Sequence, residues 1–181
     1  HTALVEGLPV GFVSLEMTSA ELMGRMVCSH ARISSTLADE GMVSDAESRK
    51  LLISLAQCAS APIHICDRSP MSWPEIAAKI RRWVAKDGIK IAFLDYLNLV
   101  EIKPEKGALR AQQLGDITAG IKRLAKSLEI PIVVVCQLNR ESEKADRKPQ
   151  LSDLRDSGTI EQDGDFVLML HPTGDLPDRS T

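Results

Sequence analysis

The stretch Ile89–Val100, Ile-Lys-Ile-Ala-Phe-Leu-Asp-Tyr-Leu-Asn-Leu-Val, limits the possible folds more than any other part of the chain. A near-continuous apolar run with β-branched and aromatic residues fits a strand, Ile91 to Leu94, covered on both faces as in a parallel sheet. Such a strand delivers its last residue to the carboxyl edge of the sheet, where open α/β folds bind ligands. That residue is Asp95. Two readings of it stand on this run alone. The carboxylate ends a strand or caps a turn, or it holds Mg²⁺, usually through water, because that cation prefers oxygen ligands.

The rest of the chain supplies the crossovers a parallel sheet needs. Residues 1–8 read as the tail of a helix ending at Gly7. Val10–Leu15 predicts a short strand, followed by the capping box Thr18-Ser19-Ala20-Glu21 and a helix to about Ala31. Ser44-Asp45-Ala46-Glu47 opens a second helix to about Ala59, with Leu51, Leu52 and Leu55 expected inward. Ile63–Cys66 is a short strand. Ser72-Trp73-Pro74-Glu75 opens a third helix, with Ile76, Ile80, Trp83 and Val84 at helical spacing and Gly88 as its stop. Leu109–Leu128 is the longest helix and Ile132–Cys136 the next strand. Asn139–Ser152 is a long polar loop carrying Lys144, Arg147 and Lys148, a length usually functional. A helical turn within Ser152–Gly158 and a last strand, Phe166–Leu170, complete the pattern. The expectation is an α/β fold: a mostly parallel sheet flanked by helices, in one domain over residues 1–171, with 172–181 a tail or truncated connection.

Composition narrows the function. The formal net charge of −3 supplies no global basic field, and aromatics are only 3 %, too few for many base-stacking platforms. Any nucleic-acid contact is therefore local or shared among several subunits. Cys28, Cys58, Cys66 and Cys136 show neither C-x-x-C spacing nor a zinc pattern, so buried reduced thiols in a cytoplasmic protein are expected. No apolar run reaches the roughly 18–20 residues of a membrane span. The chain begins His-Thr-Ala-Leu, without Met or a signal peptide, which reads as a fragment or processed start.

Three predicted strands run into polar residues at one carboxyl edge: Glu16, Asp95, and Gln137 with Asn139. Two carboxylates and an amide are the parts of a metal-assisted phosphoryl-transfer site. Taken singly, Glu16 also fits an acid near a helix N-terminus, and Gln137 a loop amide satisfying backbone groups. Convergence of all three at one edge favours the catalytic reading.

The segments Phe12-Val13-Ser14-Leu15-Glu16-Met17, Phe93-Leu94-Asp95-Tyr96-Leu97-Asn98-Leu99 and Val135-Cys136-Gln137-Leu138-Asn139-Arg140 resemble motifs of the DnaB family of replicative helicases. Ser152-Asp153-Leu154-Arg155-Asp156-Ser157-Gly158 through Asp163 resembles a fourth, and all four stand in the family's order. The resemblance covers roughly residues 3–171. It implies a RecA-like P-loop NTPase core that uses ATP and Mg²⁺, working as a homo-hexamer around single-stranded DNA, with primase and a helicase loader as partners of the full-length protein. By the same resemblance Glu16 polarises the attacking water, Asp95 is the Walker B acid holding Mg²⁺ through water, and Gln137 contacts the γ-phosphate. Arg155, Asp156 and Gly158 match the loop that grips the DNA backbone. Family members commonly have Glu where this chain has Asp156, so the reach of that contact is shorter. A surface ion pair of Arg155 with Asp153 or Asp156 is the competing reading.

The family's phosphate-binding loop, G-x-x-x-x-G-K-[ST], occurs nowhere in the 181 residues. Without it no lysine and no cradle of backbone amides meets the β- and γ-phosphates. The chain alone is therefore expected not to hydrolyse ATP, and a missing central strand is expected to leave a gap or unpaired edges. Two rivals to the helicase motor remain: a non-catalytic helicase-like assembly or DNA-binding module, and another RecA-like ATPase. The retained Glu16, Asp95 and Gln137 speak against the first, and the Asp153–Gly158 pattern against the second.

Overall fold

The structure, a computed structural model, describes residues 1–102, 110–138, 147–154 and 160–170. They fall into two compact units, His1–Ile102 with Leu124–Val135, and Lys103–Arg123 with Cys136–Thr181.

The first unit holds a four-stranded parallel sheet, built from β1 (Val10–Ser14), β2 (Ile63–Cys66), β3 (Ile91–Asp95) and β4 (Ile132–Val134), in the order β2-β1-β3-β4. Its helices are α1 (Ser19–Ala31), α2 (Ser35–Asp39), α3 (Asp45–Ser60) and α4 (Trp73–Asp87). The helix α5 (Arg110–Leu128) belongs to the second unit up to Arg123 and to the first from Leu124.

Each of the three capping boxes forms. Glu21 Oε2 accepts from Thr18 N and Oγ1, Glu47 Oε2 from Ser44 N and Oγ, and Glu75 Oε2 from Ser72 N and Oγ. These bonds satisfy otherwise orphaned donors within four residues of chain, which is why the helix starts are visible in the sequence. Gly88 ends α4 in the left-handed region, φ +67°.

On β3, Ala92 and Leu94 are buried, while Ile91, Phe93 and Asp95 are half-buried. One face of this strand is thus fully covered and the other partly, where the apolar run predicted cover on both. The covered face includes Gly11 and Val13, the register partners of Ala92 and Leu94. Here α4 packs closely: a Cβ on Gly11 would lie 2.8 Å from Trp83 Cε3 and 2.9 Å from Ile89 Cδ1. On the other face Phe12 stacks on its register partner Phe93, with ring centroids 5.5 Å apart.

Several expectations need correction. The sheet has no internal gap, because β1 pairs directly with both β2 and β3; the outer edges of β2 and β4 are its unpaired ones among the described strands. Residues 2–5 form one turn, closed by Val5 N donating to His1 O at 2.8 Å, rather than a longer helix, and Gly7 has the left-handed φ of +67° expected of it. Strand β4 stops at Val134, two residues short. Phe166–Leu170 forms no strand; Phe166, Leu168 and Leu170 are about 90 % exposed, and the segment lacks a neighbouring backbone to pair with among the described residues. On α3, Leu52 and Leu55 face outward and Ser54 and Cys58 are buried instead. All four cysteines are free, but only Cys28 and Cys58 are buried.

In the second unit, the buried Thr118 hydroxyl donates to Asp163 Oδ2 at 2.5 Å, and Lys122 pairs with Asp165. This joins α5 to the short helix α6 (Ile160–Asp163). Leu138 bridges antiparallel to Leu154. Leu114, Ile117 and Ile121 are the large buried hydrophobic residues of α5 here, spaced by three and four as an amphipathic helix requires.

Candidate active site

The carboxyl edge of the sheet is built from parallel strands whose direction the helical crossovers dictate. Ser14 on β1 is the register partner of Asp95 on β3. One residue beyond, Leu15 N donates to Asp95 O at 2.7 Å, so pairing continues past the strand and brings Glu16 beside the tip of β3. Asp95 is half-buried and Glu16 exposed. Both are oxygen donors at the edge where parallel sheets place ligands. The Asp95–Tyr96 peptide is cis.

Glu16 sits in a short turn between β1 and α1. Ser14, fully buried, spans this turn with a single hydroxyl: it accepts from Met17 N at 3.1 Å and donates to Met17 O at 2.7 Å. Immediately after the turn, Ser19 N and Oγ both donate to Asp67 Oδ2, at 2.7 and 2.8 Å. Asp67 is the first residue beyond β2. These bonds from Ser19, backbone first and hydroxyl second, hold the Asp67 carboxyl below its ordinary value. Neither Ser14 nor Asp67 is among the site residues expected from the sequence. The rule that singles out Asp95, a polar residue just beyond an apolar strand, applies equally to Asp67; nothing local marks Ser14.

Strand β4 leaves the sheet at the same edge, where Val135 N donates to Leu94 O at 2.9 Å and Leu97 N to Val135 O at 3.0 Å. Gln137 follows two residues later, is exposed, and belongs to the second unit. Among the described residues no three His, Cys, Asp or Glu side chains gather where they could hold a metal ion.

The polar loop of the second unit is partly described. Arg147 grips Asp153 with two parallel bonds of 2.7 Å, Nη1 to Oδ2 and Nη2 to Oδ1, and Gln150 N adds a third at 2.8 Å. The Asp153 carboxyl is lowered to about 2, by Arg147 first and Gln150 second. Asp153 is therefore paired with Arg147. Arg155, Asp156 and Gly158, together with Asn139 and Lys144, lie outside the described residues.

The parallel sheet flanked by helices defines an α/β fold class, and similarity to known proteins specifies the family. The family described as DnaB-like helicase C terminal domain matches residues 1–178. The chain belongs to that family. It is 39 % identical over 163 residues to the replicative DNA helicase DnaB of Rickettsia prowazekii, covering 90 % of this chain and 33 % of that protein. It is 36 % identical over 159 residues to the same-named protein of Mycobacterium leprae, covering 87 % of this chain and 26 % of that protein. The chain thus spans about a third or less of these relatives. Among solved structures, one described as an ATPase domain superposes with a TM-score of 0.78 at 30 % identity, covering 88 % of this chain and 58 % of that one. A DnaB-like replicative helicase, solved in a study of its interactions with primase, gives 0.79 at 29 %, covering 88 % and 39 %. The fold is accordingly the RecA-like one the sequence motifs imply, and family membership implies nucleotide use. No helix among the described residues is long and apolar enough to cross a membrane.

Proposed function

We propose that this chain is part of the motor domain of an ATP-dependent replicative DNA helicase, with the motor core spanning residues 1–171. The observation that supports this most is the placement of Glu16 and Asp95 at the tips of neighbouring parallel strands, tied by the Leu15 N to Asp95 O bond of 2.7 Å. Bound Mg²⁺ would offset negative charge on the transferring phosphoryl group. Asp95 is the residue to hold it, through water, and its half-buried carboxylate at the ligand-binding edge fits that role. Glu16 orients the attacking water and polarises its O–H bond, which requires a carboxylate whose backbone cannot drift. Gln137 meets the γ-phosphate and passes its loss on to the loop holding Arg155, Asp156 and Gly158, which contacts the phosphates of single-stranded DNA.

The working form in this reading is a cytoplasmic homo-hexamer. Six copies of Arg155 facing one channel give a local positive lining although this chain carries a formal charge of −3. Primase and a loader are the partners of the full-length protein, in line with the primase interactions studied for the structural relative.

The test is made in the full-length protein. Glu16→Gln is expected to bind ATP as the parent does and to lose turnover, because an amide cannot polarise the water. In the same preparation Arg155→Ala weakens binding to single-stranded DNA and flattens its salt dependence. Wild-type turnover by Glu16→Gln would remove the catalytic assignment.

A further inference from the structure

The turn that carries Glu16 is held from two sides. On the β3 side, Leu15 N is bonded to Asp95 O. On the β2 side, Asp67 Oδ2 takes both donors of Ser19, at 2.7 and 2.8 Å, across 48 residues of sequence. Strand β1 lies between these neighbours, so Glu16 leaves the sheet from a position bracketed by both adjacent strand tips. Within the turn, Ser14 fixes Met17 at its N–H and its C=O. At the start of α1, Thr18 N is satisfied by Glu21 and Glu21 N by Thr18, while Ser19 N depends on Asp67. Asp67 thus anchors the first turn of α1 from outside the helix, as an anionic acceptor at its positive end.

We infer that Asp67 is a positioning residue for Glu16: by clamping Ser19 to the tip of β2 it fixes where α1 begins, and hence where the Glu16 carboxylate stands. The inference rests on the reading of Glu16 as the water-orienting carboxylate. A general base works within narrow tolerances of distance and angle, and residues that act by locking its support change the chemical step more than substrate affinity. Asp67 stands at the tip of β2 and acts on Glu16 through Ser19. Its loss should therefore lower kcat and leave the KM for ATP nearly unchanged.

The experiment measures kcat and KM for ATP in the full-length protein with Asp67→Ala, Ser19→Pro, the two combined, and Glu16→Gln as reference. Ser19→Pro removes both donors to Asp67 at the first helical position, where proline is tolerated, and Thr18 already has the extended backbone a following proline requires (ψ 157°). Each single change is expected to lower kcat about tenfold or more with KM within about twofold. The double variant is expected to be no slower than the slower single one, because both remove the same clamp. Asp67→Asn, which keeps an acceptor oxygen, should recover most of the loss. If Glu16→Gln is inactive while Asp67→Ala and Ser19→Pro keep kcat within about twofold of the parent, the inference is overturned and the role of Glu16 stands. Losses that multiply in the double variant, or a rise in KM that accounts for the effect, overturn it too. Should Asp67→Ala not fold, the Ser19→Pro and Asp67→Asn pair decides alone. Turnover retained by Glu16→Gln would instead sink the underlying assignment, a separate and recognisable result.

Discussion

Gly11 is the point on β1 where a helix comes too close for a side chain. A Cβ there would meet Trp83 Cε3 at 2.8 Å and Ile89 Cδ1 at 2.9 Å. Alanine has the better intrinsic strand preference, so on backbone grounds Gly11→Ala should stabilise. The Trp83 ring is rigid and 5 % exposed, and it cannot yield without moving α4. Gly11→Ala is therefore expected to cost about 1–3 kcal/mol, read as a lower urea midpoint at unchanged slope. A neutral or stabilising result would mean that the close approach of α4 to β1 is wrong. The same logic separates polar residues that stand out in the sequence from those that do not. Asp95 and Glu16 stand out because each follows an apolar strand. The Arg147–Asp153 clamp does not, since a basic residue in a polar loop looks the same whether free or paired.

Helix α3 shows how an element can be found while its orientation is misread. Its start is fixed by Ser44 and Glu47, and it runs over Asp45–Ser60 as its cap predicts. Its leucines suggest one buried face, yet α3 turns Ser54 and Cys58 inward against α1. Small side chains four residues apart let two helices approach closely, and Ser54 Oγ donates to Val27 O at 2.8 Å, so its burial leaves no polar group unsatisfied. Ser54→Ala is expected to cost about 1 kcal/mol, the net worth of a buried hydrogen bond. Leu52→Lys, at a position 66 % exposed, is expected to change stability by less than about 0.5 kcal/mol. Thermal unfolding of the two variants side by side checks the phase of the helix: the opposite ranking would restore the leucine-inward arrangement. The segment Phe166–Leu170 makes the complementary point. An apolar run becomes a strand only when another backbone accepts its hydrogen bonds.

Acid stability draws on carboxylates in both units. The Glu75 carboxyl is lowered from 4.5 to about 2, by the Ser72 hydroxyl first, then the Ser72 backbone and Arg68. Asp153 is lowered from 3.8 to about 2, chiefly by Arg147. Glu21, Glu47 and Asp67 are lowered as well by their N-terminal helix bonds. A carboxyl that is more acidic in the folded than in the unfolded chain adds stability above its unfolded value, and that stability disappears as pH falls through its folded value. The Tm is expected to be level above about pH 5 and to drop steadily from about 4.5 towards 2. Glu75→Gln should lower the plateau and make the acid limb shallower; an acid limb identical to the parent's would show that Glu75 is not paired in solution.

The elements of this fold were legible because their signals are local. A capping box closes within four residues, and helical spacing of Ile76, Ile80 and Trp83 needs no knowledge of what they pack on. The same is true of Glu16 and Asp95, because alternating strands and helices force parallel strands whose tips share one edge. Tertiary structure alone decided which strands are neighbours, and so that the tip of β1, which leads into Glu16, lies between the tips of β3 and β2. It also decided the phase of α3 and the partner of Asp153. Each of these depends on groups distant in sequence, or on competition among equivalent partners, and no periodicity records the outcome of that competition.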